Sequence, residues 1–280
     1  MFEPARVLIG QVVAKLESDF RSVFGAAHDD RSELLTAVGR LALERIAACD
    51  AVYHNLNHTM LVTLVGNDIL RGKLATGSEI SPGRWLDFVV SLLCHDIGFV
   101  RPLCREDRNG LLASGRADET FALPREATDA ALAPYHVDRG ILFIGERLSD
   151  QPLLNVAAIA ANIDRTRFPV PDAEEYRATD DDPGLVRAAD LLGQVSETWV
   201  RRRYPALFYE FEETGVNRRL GFSCPHDLLV DFPRFYAKVV VPYCGEAFRL
   251  LEATADGRGW LSNLHFHLAD IEAGLGESPS

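Results

Sequence analysis

The chain has 280 residues, 47% of them hydrophobic, and 41 acidic against 29 basic side chains give it a net charge of −12. This is enough apolar material for a large core, and the negative balance argues against general binding of nucleic acid or of an anionic membrane. Five scattered cysteines without a Cys-x-x-Cys pair point to reduced thiols in a cytoplasm rather than to a disulfide framework.

The first residues carry no signal-peptide arrangement. Residues 4–24 and 30–49 read as two amphipathic helices, the second opened by capping chemistry in Asp29-Asp30-Arg31-Ser32 with Glu33 behind it. Tyr53-His54-Asn55-Leu56-Asn57-His58 then opens a third helical segment, 54–75. There Leu61, Leu64, Val65 and Ile69 recur at three- and four-residue spacing, and Gly77 lies beyond the end. On a helix His54 and His58 share a face. Either both bind one metal, or His58 ligates while His54 stays free to protonate a leaving oxygen.

The run 85–94 reads as a buried helix ending in His95-Asp96, with Ile97-Gly98-Phe99-Val100 continuing it. The run is too short to cross a bilayer. An adjacent His and ionised Asp are costly to bury there unpaired, and a metal satisfies both. His226-Asp227 is the same dipeptide, but it follows Pro225 and suits a capped helix start. The polar stretch 105–125, with Gly110, Gly115 and Pro124, predicts a long loop. It follows His95-Asp96 closely and is expected to form a mobile rim over the metal pocket. Arg101, Arg105, Arg108, Arg116 and Arg125 surround it, and Arg101 and Arg105 are candidates to hold a substrate phosphate.

Residues 153–167 read as a further buried helix. Asp180-Asp181-Asp182 before Pro183 is explained by the positive end of a helix rather than by a cation. That helix carries Asp190, and Gln194, four residues on, would line the pocket. Arg201-Arg202-Arg203 suits local ion pairs. The aromatic-rich stretch with Phe208-Tyr209-Glu210-Phe211, Phe232, Phe235-Tyr236 and Trp260 predicts C-terminal helices packed on the core or a homodimer contact. Residues 274–280 read as a frayed end.

His58, His95, Asp96 and Asp190 together supply two imidazoles and two carboxylates, enough ligands for one divalent metal. The chemistry such a metal supports is hydrolysis. This ordered set resembles the HD-domain superfamily of metal-dependent phosphohydrolases. The string from Tyr53 to His58 is similar to the Tyr-His-Asn-x-x-His motif of its cyclic-nucleotide phosphodiesterases. The matching stretch, 51–195, is roughly half of the chain. The resemblance implies an all-α fold with the metal between helices. It implies His58, His95, Asp96 and Asp190 as ligands, Asp96 also bridging to any second metal, and His54 as general acid.

The departures are specific. Phosphodiesterases carry another His three residues after the Asp of the pair, where this chain has Phe99. Two-metal members and the HD-fold oxygenases place two further histidines before the last Asp, where this chain has one, His136. His136 does stand in the His-x-x-x-Gly form of some two-metal members. Asn162 and Asp164 fall where polar groups back the ligands. The expectation is one firmly held ion (Fe, Mn, Ni, Co, Zn or Mg) with a second weak or absent.

Three parts follow: N-terminal helices (1–50), a metal-binding core (51–198) and a C-terminal helical extension (199–280). The expected activity is cleavage of a phosphomonoester or phosphodiester of a small molecule, a nucleotide by resemblance. Asp96 and His54 would act in catalysis, with Asn55, Arg101, Arg105 and Gln194 on the substrate. The alternatives are a metal-holding sensor without turnover and an HD-fold oxygenase.

Overall fold

Local signals set the first elements of the computed structural model, which describes residues 3–276. Residues 1–2 and 277–280, parts of the segments read for a targeting signal and a frayed end, lie outside the described residues. Helix α1 (Pro4–Phe24) starts on a proline and buries Ile9, Val13, Leu16 and Phe20, a stripe at three- and four-residue spacing. It packs on α2 (Asp29–Ile46). Helix α2 stops short of Cys49 because residues 47–49 wind into tight turns, Cys49 N–H donating to Ile46 O, and lead into the first histidine string.

Helix α3 (Leu56–Ala75) begins after His54, not at it. Asn55 is extended and its side chain accepts from Asn57 N–H, which makes Asn55 the cap. His54 therefore lies in the turn ahead of the helix, and the shared helical face expected for His54 and His58 is corrected. Helix α4 (Pro82–Cys94) is capped by Ser81 and is buried at every position from Phe88 to Cys94, so it forms the central rod of the fold. A 3₁₀ turn, Ile97–Phe99, follows His95 and Asp96.

The stretch 105–125 is a short hairpin rather than an open loop. Strand β1 (Leu112–Ala113) pairs antiparallel with β2 (Thr120–Phe121). Helix α5 (His136–Leu148) packs on the 3₁₀ turn and on α6 (Val156–Asp164), while α6 and α7 (Asp182–Val195) pack on α4. Asp181 caps α7 by accepting from Gly184 N–H, and Asp182 pairs with Arg84, so the acidic run does serve a helix start.

The C-terminal part is α8 (Val200–Glu213), α9 (Val216–Leu220), α10 (Pro225–Phe235), a π-helical turn (Tyr236–Val240), α11 (Val241–Glu252) and α12 (Ala255–Gly276). Gly274 is still helical. Asp227 caps α10 by accepting from Ser223 and Cys224 N–H, as its place after Pro225 predicts. Helix α11 packs on α3 and α7, and one apolar cluster runs from Ile9 to Ile271. The fold is all-α apart from the hairpin. Among the described residues, no helix is long and apolar enough to cross a membrane.

Two close approaches bring together the elements that carry His58, Asp96, His136 and Asp190. A Cβ on Gly193 would lie 2.9 Å from a Val62 methyl and 3.0 Å from its Cα, so the bare glycine lets α7 lie against α3 beside His58. A Cβ on Gly98 would sit 1.8 Å from the His136 carbonyl oxygen, so only glycine lets the turn after Asp96 touch the start of α5.

Arg139 locks that junction. Its guanidinium, with no exposed side-chain surface, donates to Gly98 O (2.9 Å), Val100 O (3.0 Å), Ala113 O (2.6 Å) and both oxygens of Asp107. Burial raises the Asp107 carboxyl, but the Arg139 partner outweighs this and holds it below the usual carboxylate range. Removing one member of such a pair strands the other charge in the interior. Arg139→Met is therefore expected to lower unfolding free energy by about 3–5 kcal/mol, read from urea unfolding. A loss within the range of an ordinary surface change would show that the pair is not a structural pin.

Candidate metal centre

Four side chains from three helical regions converge at the end of α4. His58 Nε2 lies 3.2 Å from Asp190 Oδ1 and 3.4 Å from Asp96 Oδ2. His95 Nε2 lies 3.2 Å from Asp96 Oδ2 and 3.7 Å from Asp190 Oδ1. Ligand atoms of His58, His95 and Asp190 all fall within 4.8 Å of one another, a cluster that could hold a metal ion. Asp96 Oδ2 reaches the same point.

The protonation pattern supports a cation there. The Leu92 carbonyl can only accept, so His95 Nδ1 donates to it (2.8 Å), and a neutral His95 turns the Nε2 lone pair toward the carboxylates. His95 Nε2 and Asp96 Oδ2 are both buried without a hydrogen-bond partner. Two buried acceptors facing each other are unfavourable unless a proton or a metal lies between them. With no metal, a proton takes that place. Burial lowers the His95 imidazole, but Asp96 and Asp190 outweigh it and lift it to about 9. Burial likewise raises Asp96, while the His95 charge holds it well below the usual carboxylate range. A divalent ion answers the same charges by displacing that proton.

His54 stands beside this cluster in a different role. Its Nδ1 is 2.5 Å from Glu210 Oε2, and Glu210 Oε1 accepts from the main-chain N–H of Tyr53 (2.5 Å) and of His54 (3.0 Å). Burial lowers His54, but Glu210 outweighs it and raises the imidazole to about 9, with Asp96 and Asp190 adding to the effect. Glu210 moves the other way: burial raises it, and His54 draws it below its usual range. Arg203, from the same helix α8, donates to Tyr53 O at 2.8 Å and lies 4.9 Å over the Tyr53 ring. Helix α8 thus holds both the amide and the carbonyl of Tyr53.

His136 Nε2 lies 3.8 Å from Asp96 Oδ1, the oxygen turned away from His58 and His95. Its Nδ1 donates to Ala133 O, so Nε2 again offers a lone pair. Burial lowers this imidazole, which favours the neutral form. That corner holds one nitrogen donor and one carboxylate oxygen, with Phe99 stacked on His136 at 4.4 Å.

The remaining candidates lie elsewhere. Asn162 donates to Ser91 Oγ, and Asp164 accepts from Tyr176 and Arg167; neither touches the four converging side chains. Asn55 is committed to its cap and to Val52 O. Arg101 is bound to Asp129 (2.5 Å) and Ala127 O. Arg105 holds Glu146, roughly 15 Å along α5 from His136 at 1.5 Å per residue. Arg116 is fastened to Asp138 and Pro134 O. The phosphate-gripping rim expected of 105–125 is corrected: Arg101 and Arg116 are paired with Asp129 and Asp138, the Arg105 guanidinium donates to the Glu146 main-chain carbonyl, and the hairpin is anchored by Asp107. Gln194 sits half-buried one turn beyond Asp190.

Glu210 is the residue that sequence patterns miss. The only local signal is that Glu210 falls at helical spacing from Leu207, on the stripe that α8 buries, a place where an acid needs a partner.

Titration with Zn²⁺ or Mn²⁺ is expected to raise the melting temperature, equivalent to about 2.7 kcal/mol at one hundred times Kd. His95→Ala should abolish the rise. An unshifted melting temperature in the unaltered protein would remove the metal site.

The His54–Glu210 pair also leaves a signature in pH. The raised imidazole contributes stability that is complete below 6.5 and is lost as pH climbs through about 9, while the depressed carboxyl loses its share as pH falls below 4.5. In metal-free protein, Glu210→Gln should flatten the fall in stability between about pH 7 and 9, followed by urea unfolding at stepped pH. An unchanged slope would show that the pair is not coupled to folding.

No curated protein and no solved structure matches the chain. Residues 2–274 match a family described as Npun_R2479-like, which takes in the N-terminal helices, the converging histidines and aspartates, and helix α8 with Glu210 alike; the chain belongs to that family.

Proposed function

We propose that this protein is a metal-dependent phosphohydrolase of the HD-domain type, cleaving a phosphomonoester or phosphodiester, with a nucleotide as the expected substrate class. The observation that carries the proposal is His54. It is an imidazole held by a buried carboxylate beside a metal-competent cluster, yet outside the set of four converging ligands. A pure metal-holding module has no use for it.

His58, His95, Asp96 and Asp190 would hold the ion, with Fe, Mn, Ni, Co, Zn and Mg all compatible with mixed nitrogen and oxygen donors. When bound, a divalent ion lowers the pKa of a coordinated water and draws a phosphoryl oxygen to the same centre. His54 supplies the other half of the chemistry. With Nδ1 engaged by Glu210, the imidazolium presents Nε2–H and gives that proton to the departing oxygen. Glu210 keeps the ring in place and stabilises its charged form before transfer. The His54 and Asp190 side chains are 25% and 23% exposed while His95 is closed off, so substrate meets the centre from their side. The five free cysteines fit a cytoplasmic setting.

A panel of phosphate esters with Mn²⁺ or Mg²⁺ added tests the activity. His54→Ala is expected to keep its metal and to lose roughly 10²–10⁴-fold in kcat. The loss should shrink for a nitrophenyl ester, whose leaving group needs little protonation. Loss of metal from that variant would make His54 a ligand, and no turnover of any ester in the unaltered protein would sink the proposal.

A further inference from the structure

The His54 hydrogen bond to Glu210 fixes one atom of a flat ring, and rotation about that contact would still swing Nε2. A second contact removes that freedom. The Phe99 ring stacks on His54 with centroids 4.8 Å apart and planes 15° from parallel. The same ring stacks on His136 at 4.4 Å and 16°. Tyr53 and His58 meet the edge of His54 at 77° and 82°. The imidazole is thus held at one nitrogen, on one face and along its edge.

Phe99 can serve as a reference plane because it is itself immobilised. It is 1% exposed and ends the 3₁₀ turn that follows Asp96, its N–H donating to Asp96 O. The carbonyls on either side of it, Gly98 O and Val100 O, both accept from Arg139, which Asp107 holds in turn. Gly98 lies tight against the start of α5. Displacing the Phe99 ring would require breaking these buried contacts.

We propose that Phe99 is a positioning residue for the general acid: its ring, anchored by Arg139 through the flanking carbonyls, sets the plane of the His54 imidazole and so the direction of Nε2. This rests on the phosphohydrolase reading above. It gives an apolar residue three positions after Asp96 a defined task, and it assigns the hairpin residue Asp107 an indirect part in aiming the acid.

Phe99→Leu keeps the apolar volume and removes the flat face. With Mn²⁺ present, the variant is expected to hold as much metal as the unaltered protein and to keep KM within about twofold for an alkyl phosphate ester. Its kcat should fall by about ten- to a hundredfold, the scale of a misplaced reacting group, but by less than about twofold for a nitrophenyl ester. Combined with Glu210→Gln, the losses should fall short of the product of the two single effects, because both act on one ring.

Equal losses on the two esters, or a lowered metal content, would overturn the proposal and make Phe99 core packing. A second measurement does not need turnover. In Zn²⁺-loaded protein, Phe99→Leu should move and broaden the His54 and His136 ring signals in NMR spectra and leave His267 unchanged. Sharp, unmoved His54 signals overturn the positioning role. An unaltered protein that cleaves no ester, yet shows the ring response, overturns the phosphohydrolase reading and leaves the ring geometry standing.

Discussion

The buried guanidinium of Arg139 is the contact on which the site's geometry depends. Its five hydrogen bonds reach the turn after Asp96, the hairpin and the 103–107 segment from a single point inside the protein. An isolated cation there would be very unfavourable, and Asp107 makes it tolerable by sharing two of those bonds. The turn carrying Gly98 and Phe99 cannot drift from α5, so Asp96 stays at the end of α4 with one oxygen toward His58 and His95 and the other toward His136. The hairpin's polarity follows from this architecture. Its charged residues fasten it to α5.

Opposing electrostatic demands meet at the end of α4. His95 and Asp96 are at most 3% exposed, and their facing lone pairs need a positive charge between them. A proton and a divalent ion compete for that position. His54, a few ångströms away, has its own carboxylate in Glu210 and does not depend on the ion for its place. His95 and His54 thus have separate carboxylate partners, which the proposed function would use by giving one imidazole to the ion and leaving its neighbour a proton to give.

The C-terminal helices do more than cover the core. Helix α8 holds Tyr53 by its amide, its carbonyl and its ring, through Glu210 and Arg203. The first histidine string is therefore a turn shaped from outside as well as the entrance to α3. The proposed likeness to HD phosphohydrolases rests on 51–195, and Glu210, which hydrogen-bonds His54, lies beyond it.

Much of the fold was legible because its signals are local. The stripe of Ile9, Val13, Leu16 and Phe20, the Ser81 cap before Pro82, and Asp181 before Pro183 each act within one or two helical turns, and the helices formed where these signals stand. The metal-competent side-chain types were legible too, since a His and an Asp at the end of an apolar helix demand a partner wherever the rest of the chain goes. The start of α3 departs from its periodicity because Asn55 takes the cap and leaves His54 outside the helix. The partners of Arg101 and Arg116 were not legible because charge in a sequence does not reveal its counterion; Asp129 and Asp138 come from other segments.

The sequence by itself determined the all-α class, most of the helices and the inventory of side chains that could bind a metal. Only the tertiary structure decided that Glu210 meets His54 and that Phe99 lies flat on it. Those contacts join residues with no periodic relation along the chain, and close packing of the folded core, not local backbone preference, selects them.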